Sequence, residues 1–287
     1  MRKAFVEGEI NLMEPLRLAA FAIDQQGGNP AGVVIADHYP SEAEMRKIAA
    51  DVGYSETVFA RPDGDGWRVR YFSPESEVSF CGHATIALGA ALADRFGDGI
   101  FQLTLNAVRI TVEGKYSGRH LHAALQSPPT KSEPAEATVT GAALDLFGLT
   151  ANDLDRRIEP MLANAGANHL ILPLNSRATL SAMTYQLGLG KDLMKNYGLV
   201  TIALVWPASD RLFHVRNAFA SGGVLEDPAT GAAAAAFAGV LRDIGWPHAG
   251  EITLIQGEDM GAKSMITAQI PITLGSSIRI SGGVRYL

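Results

Sequence analysis

Apolar positions along this chain repeat with two periods, and period two dominates. Alternating or short continuous apolar runs predict strands at residues 16–23, 31–36, 55–60 and 67–72. Further runs lie at 121–125, 169–174, 199–206, 212–219, 251–256, 264–270 and 277–280. Residues 101–113 also alternate, with Phe101, Leu103 and Leu105 on one face and Val108, Ile110 and Val112 on another after a shift. Turn signals separate the runs: Gly27-Gly28-Asn29-Pro30 precedes the second, and Pro62-Asp63-Gly64-Asp65-Gly66 sits inside a hairpin. Helical spacing is rarer. Ser41 with Glu44 forms a capping box, Met45, Ile48, Ala49 and Val52 follow on one face, and Gly53 ends the helix. Residues 142–147 predict a short helix and 178–198 a helical region. Strands outnumber helices, so the fold class is α+β.

Two helices lack a polar stripe and are expected to be buried on all sides. One follows the Cys81-Gly82-His83 turn and reads GHATIALGAALAD over residues 82–94; the other follows Asp227-Pro228-Ala229-Thr230-Gly231 and reads AAAAAFAGVLRD over 232–243. Aligning Gly82 with Gly231 also matches Ala84 with Ala233, Ala87 with Ala236, Leu92 with Leu241 and Asp94 with Asp243. Upstream, Val69-Arg70 with Phe72 resembles Val215-Arg216 with Phe219. An internal duplication follows, giving two similar halves with one central helix each. The Pro- and Ser-rich stretch 127–137 marks the junction, so the halves are expected at 1–127 plus 271–287 and at 128–270. The first N–H groups of each central helix have no partner within it, and the macrodipole makes that end attractive to a carboxylate or phosphate.

Composition narrows the function. Apolar residues make up 47% and charged residues 19%, as in a globular protein, and 287 residues suffice for two cores. A net charge of −6 without a basic run argues against nucleic acid, while leaving room for a small anion at a helix terminus. The single cysteine, Cys81, excludes an intrachain disulfide and suits a reducing cytoplasm. No apolar run is long enough to span a bilayer. The opening MRKAFVEGEINLMEP is acidic and lacks a continuous apolar core, so a disordered leader is expected rather than a signal peptide.

Several residues could carry chemistry. Period-two alternation puts Glu56 beside Val58 and Ala60, either on a solvated face or in a pocket where desolvation would suit it to proton transfer. His83 is either a helix-start histidine bonded to a loop carbonyl or a site residue. Cys81 is either a thiolate stabilised by the helix terminus or a buried, inert thiol. Asp227 could be an N-terminal cap. His120 and His122 share a strand face without a third ligand, so no metal is expected there, and Gly188-x-Gly190-Lys191 lacks the spacing of a phosphate loop.

Four segments, GNPAGV (28–33), SETVF (55–59), VRYFSPESEVSFCGHAT (69–85) and EDPATG (226–231), together resemble the phenazine-biosynthesis PhzF-like family. Their order and spacing match, and the similarity runs from Leu16 to Leu287. The resemblance implies a diaminopimelate epimerase-like fold. Two pseudo-symmetric domains each curl a mostly antiparallel sheet around one central helix, with the active site between them. It implies a cofactor-independent isomerase of a small anionic substrate, with Glu56 as acid/base and His83 and Asp227 as further catalytic residues. Gly82, Thr230, Gly231 and Ala232 would bind substrate, with backbone N–H groups of Gly82, His83, Gly231 and Ala232 holding its charge. It also implies a homodimer. The racemases of this fold use two cysteines; Thr230 stands at the second position, so a two-thiol mechanism is excluded. Four positions depart from the family pattern: Ala232 replaces a serine, Ser221 a proline, and Ala262-Lys263 an arginine-proline pair. A competing expectation is a non-catalytic small-anion binding protein on the same scaffold; redox work by Cys81 is a third and weaker one.

Overall fold

Helix Glu42–Val52 begins as its capping box predicts, with the Glu44 backbone N–H donating to Ser41 Oγ and the Ser41 N–H to Glu44 Oε2, and it ends at Gly53 in the left-handed region. The computed structural model describes residues 14–287. The leader expected at residues 1–15 therefore lies outside the described residues, apart from Glu14 and Pro15.

Strand pairing makes the internal repeat visible. Asn29–Ile35 runs parallel to Thr57–Asp63, which pairs antiparallel with Gly66–Phe72; that strand flanks the short Glu77–Val78 and runs parallel to Gly99–Thr104. The same sequence of pairings joins Asn168–Pro173, Thr201–Pro207, Leu212–Ala218, Glu226–Asp227 and Glu251–Gln256. Arg70 binds Glu77 at 2.6 Å in the first half and Arg216 binds Glu226 at 2.6 Å in the second. Register makes Arg70 equivalent to Arg216 and Phe72 to Ala218, because Phe72 faces Glu77 and Ala218 faces Glu226. The matching phenylalanine expected at 219 is therefore one residue out of register. Each sheet closes through shared strands: Ser277–Tyr286 pairs with Leu16–Ala22, His120–Pro129 and Ser264–Gln269.

Inside each closed sheet lies one central helix, Gly82–Phe96 or Gly231–Asp243, each buried through nearly its whole length. This is the α+β architecture of two pseudo-symmetric, helix-centred sheets. Among the described residues no helix is long and apolar enough to cross a membrane.

Several boundaries differ from the sequence reading. Asn29 and Pro30 are strand rather than turn, because Ala20 and Ala19 face them across an antiparallel pair. Residues 101–113 form a hairpin of Gly99–Thr104 and Arg109–Ser117. The helical region 178–198 is two helices, Arg177–Ser181 and Leu187–Asn196, separated where the Arg216 guanidinium donates to the carbonyls of Ser181 and Met183. Strand Met161–Asn164 went unread; it is four residues long and held between Lys131–Pro134 and Asn168–Pro173. The Pro-rich stretch from 127 continues strand His120–Pro129 and then forms Lys131–Pro134.

The first central helix sits so close to its sheet that side chains are excluded at the contact. A Cβ on Gly114 would lie 2.0 Å from the Gly89 carbonyl oxygen, and one on Gly89 would lie 2.4 Å from Val112. Backbone cannot yield as a flexible side chain can, so Gly114→Ala is expected to destabilise by at least the roughly 1–3 kcal/mol typical of overpacking. Denaturant unfolding checks this; an unchanged midpoint would refute the close contact.

Candidate active site

Both central helices start without a side-chain cap. The first intrahelical bonds are those of Thr85 to the Cys81 carbonyl and of Ala234 to the Thr230 carbonyl, so the preceding N–H groups have no partner in their helix. In the first half, Thr85 Oγ1 donates to the Cys81 carbonyl and accepts from the buried Tyr71 hydroxyl, each at 2.7 Å. That pair of bonds bolts the Cys81-Gly82-His83 turn to the sheet.

The two starts open into one cavity of about 490 Å³. The seven site residues implied by the family resemblance, Glu56, Gly82, His83, Asp227, Thr230, Gly231 and Ala232, all line it. Glu56 precedes strand Thr57–Asp63 instead of lying within it, and its carbonyl accepts from the Gly32 N–H at 3.1 Å. Its side chain is 16% exposed, and Oε2 lies 3.4 Å from His83 Nε2. The solvated-face alternative for Glu56 therefore gives way to the pocket. His83 is itself 7% exposed, with Ser55 Oγ 3.4 Å from Nε2 and Cys81 Sγ 3.4 Å from Nδ1.

Cys81 is the buried thiol of the two alternatives. Burial first, and then the neighbouring Glu56 carboxylate, push its pKa well above the usual thiol range, which removes the thiolate expected from the helix terminus. Among the described residues, Glu56, Cys81 and His83 form the cluster whose donor atoms lie close enough together to hold a metal ion, within 4.8 Å of one another. A cation there would consume the carboxylate and require the thiol to lose a proton that burial favours. His120 and His122 are not part of such a cluster; Gln25 lies 3.2 Å from His120 Nδ1.

Asp227 is not the helix cap; Thr230 occupies that position. Asp227 instead ties the two halves together. Asn29 donates from Nδ2 to Asp227 Oδ1 at 2.8 Å and to the Ala229 carbonyl at 3.0 Å, while the Thr230 hydroxyl donates to Oδ2. Asn217 and Gln256 donate in turn to Thr230 Oγ1, and Gln256 also donates to the Asp227 carbonyl at 2.7 Å. Asn29, a latch across the halves, was missed by sequence reasoning, although the Asn-Pro pair was noted as a turn. His169 was also missed. It lines the cavity, is 1% exposed, and was read only as the start of a strand.

Burial raises the pKa of Asp227, partly opposed by His83 and by the Thr230 hydrogen bond and reinforced by Glu56.

A family model described as "Phenazine biosynthesis-like protein" matches residues 18–284. The chain belongs to that family. Among its relatives, the uncharacterized isomerase YddE of Escherichia coli strain K12 is 30% identical over 264 residues, 88% of each chain. A trans-2,3-dihydro-3-hydroxyanthranilate isomerase of Pseudomonas aeruginosa is 31% identical over 260 residues, 87% of each. A Bacillus anthracis phenazine biosynthesis protein of the PhzF family superposes with a TM-score of 0.82 at 23% identity, over 95% of this chain and 96% of that one. Family membership places the protein among isomerases.

The raised Asp227 pKa has a consequence for stability. A carboxyl whose folded pKa exceeds its unfolded value binds its proton more tightly when folded, so its contribution falls as pH rises from about 3.9 and levels off above the folded pKa. Asp227→Asn removes that titration. The stability of the variant relative to the parent is expected to increase across this window, by at most about 1.4 kcal/mol per pH unit. Paired denaturant curves from pH 4 to 8 check it; a constant difference would show that Asp227 is charged at low pH.

Proposed function

We propose that this isomerase shifts a proton between carbons of a small carboxylate, with Glu56 as the acid/base. The observation that carries the reading is the position of Glu56: at 3.4 Å from His83 Nε2, in the cavity where two uncapped helix starts converge. Backbone N–H groups at Gly82, His83, Gly231 and Ala232 would bind the substrate carboxylate. They would also stabilise negative charge that moves onto it as the carbon loses its proton. Glu56 would take that proton, the C–H pair would form the new double bond, and the displaced π pair, held as charge on the conjugated carboxylate, would take the proton back from Glu56 at another carbon. His83 would hold the carboxyl in place between removal and return.

The site favours a double-bond shift over epimerisation. Inversion by direct proton exchange needs a base on each side of the carbon. The Cys81 thiol is buried with a raised pKa, and both Asp227 oxygens accept hydrogen bonds from Asn29 and Thr230. Glu56 is thus the carboxylate left free to work, removing and returning the proton on one face. Asp227 acts through position, holding Thr230 and the start of the second helix. A non-catalytic anion-binding role would use the helix starts equally well, but gives no reason for Glu56 beside His83.

The test is exchange of carbon-bound hydrogen in deuterated water, followed by proton NMR, beginning with trans-2,3-dihydro-3-hydroxyanthranilate as the substrate of one relative. General acid/base groups contribute about 10²–10⁴-fold, so Glu56→Gln is expected to slow exchange by at least 10²-fold with little change in ligand affinity. Exchange at the parent rate would overturn the assignment of Glu56.

A further inference from the structure

The pseudo-symmetry assigns a counterpart to every position of the site. Val58 faces Tyr71 in the first half, and Ala203 faces Asn217 in the second. Tyr71 in turn faces Val78, and Asn217 faces Asp227. Val58 and Ala203 are therefore equivalent, and counting back two residues makes Thr201 the counterpart of Glu56. On the neighbouring strands, Val33 faces Val58 and Ile171 faces Ala203, so His169 is the counterpart of Ala31. The place next to the proposed base, filled by a methyl group in the first half, holds an imidazole in the second.

That imidazole is incompletely satisfied. His169 Nδ1 lies 2.8 Å from Thr201 Oγ1, whereas Nε2 is buried with no hydrogen-bond partner. His169 shares the inner face with Ile171, and Thr201 shares it with Ala203, both of which pack in the central core. Both lie at the end of the sheet nearest the start of the second central helix, and both line the cavity. Burial depresses the His169 pKa to about 4, so the ring is neutral near pH 7. A buried polar atom without a partner is costly, and a ligand that satisfies it gains accordingly.

We propose that His169 is a specificity-determining residue whose Nε2 binds a hydroxyl group on the substrate, remote from the carboxylate held at the helix starts. A hydroxyl suits the position because it both donates and accepts, and so complements either neutral tautomer left by the bond to Thr201. An ionised group does not suit it, since a neutral buried ring offers no countercharge. His169, Thr201, Asn217 and Asp227 stand on four successive neighbouring strands, three spacings of about 4.8 Å, or roughly 14 Å across the curled sheet. Phe80, Val200 and Phe219 line the same cavity. The ligand class is thus a carboxylate with an apolar or ring-shaped body and a distal hydroxyl.

This inference rests on the substrate carboxylate lying at the helix starts, as proposed above, but not on proton transfer by Glu56. Matched probe pairs test it on the full chain by calorimetry: benzoate against 4-hydroxybenzoate, and phenylacetate against 4-hydroxyphenylacetate. In at least one pair the parent protein is expected to bind the hydroxylated member about tenfold more tightly, the worth of one ordinary hydrogen bond. His169→Phe should abolish that preference while leaving affinity for the parent acid unchanged, and His169→Gln should retain part of it. Should His169→Phe fail to fold, ring-¹⁵N NMR of the parent decides, since the His169 Nε2 resonance should move with the hydroxylated probe and not with its partner. Equal loss of affinity for both members, an unchanged preference, or no preference in the parent would each overturn the proposal. Hydroxyl preference without hydrogen exchange would fail the Glu56 reading and keep this one; exchange without preference would do the reverse.

Discussion

A helix enclosed by a closed sheet can satisfy its terminal backbone groups only at its ends, and this constraint organises the molecule. Each half wraps one buried helix, and neither helix carries a side-chain cap. Capping side chains would have satisfied those N–H groups internally, at a gain typically near 1 kcal/mol per helix. Thr230 has a suitable hydroxyl but spends it on Asp227. Leaving both starts open at one cavity aims two partly positive helix ends into the same space of an acidic protein.

Keeping two such starts aligned requires that the halves hold a fixed relation, and the Asn29 to Asp227 contact supplies a buried part of it. One amide from the first half satisfies a carboxylate oxygen and a carbonyl of the second. Exposed pairs such as Lys47 with Asp51 contribute little by comparison, because water and salt screen them and long side chains lose freedom. A buried hydrogen bond to a carboxylate is directional, and losing one partner leaves the other unpaired in a dry site. The shared strand Ser277–Tyr286 adds backbone continuity between the halves.

Local signals in the sequence were legible where local chemistry determines the outcome. Ser41, Glu44 and Gly53 bound a helix by themselves, and the two stripe-free helices could only be buried ones. The repeat was visible at Gly82 and Gly231 but slipped by one residue at Phe72, since register is set by partner strands that sequence does not display. Strand Met161–Asn164 escaped for the same reason: its four residues are held from both sides. Candidate site residues at turns and helix starts were readable because Cys, His and Asp stand out there. His169 begins an apolar strand and looks like any strand-edge histidine; its buried, unpaired nitrogen exists only once Thr201 is placed beside it.

The same duplication that makes the halves similar explains why their contributions to the cavity differ. Arg70 with Glu77 and Arg216 with Glu226 keep equivalent ion pairs, so the scaffold near the cavity has stayed alike. At the equivalent inner-face positions the chemistry has parted: Glu56 on one side, Thr201 with His169 on the other. A carboxylate at Thr201 would be a third in one small cavity, beside Glu56 and Asp227. A hydroxyl and a neutral imidazole add no further negative charge there. On the function proposed above, the cavity would have direction, with Glu56 on a proton-moving side and His169 on a side that reads the rest of the ligand, although two nearly equal halves enclose it.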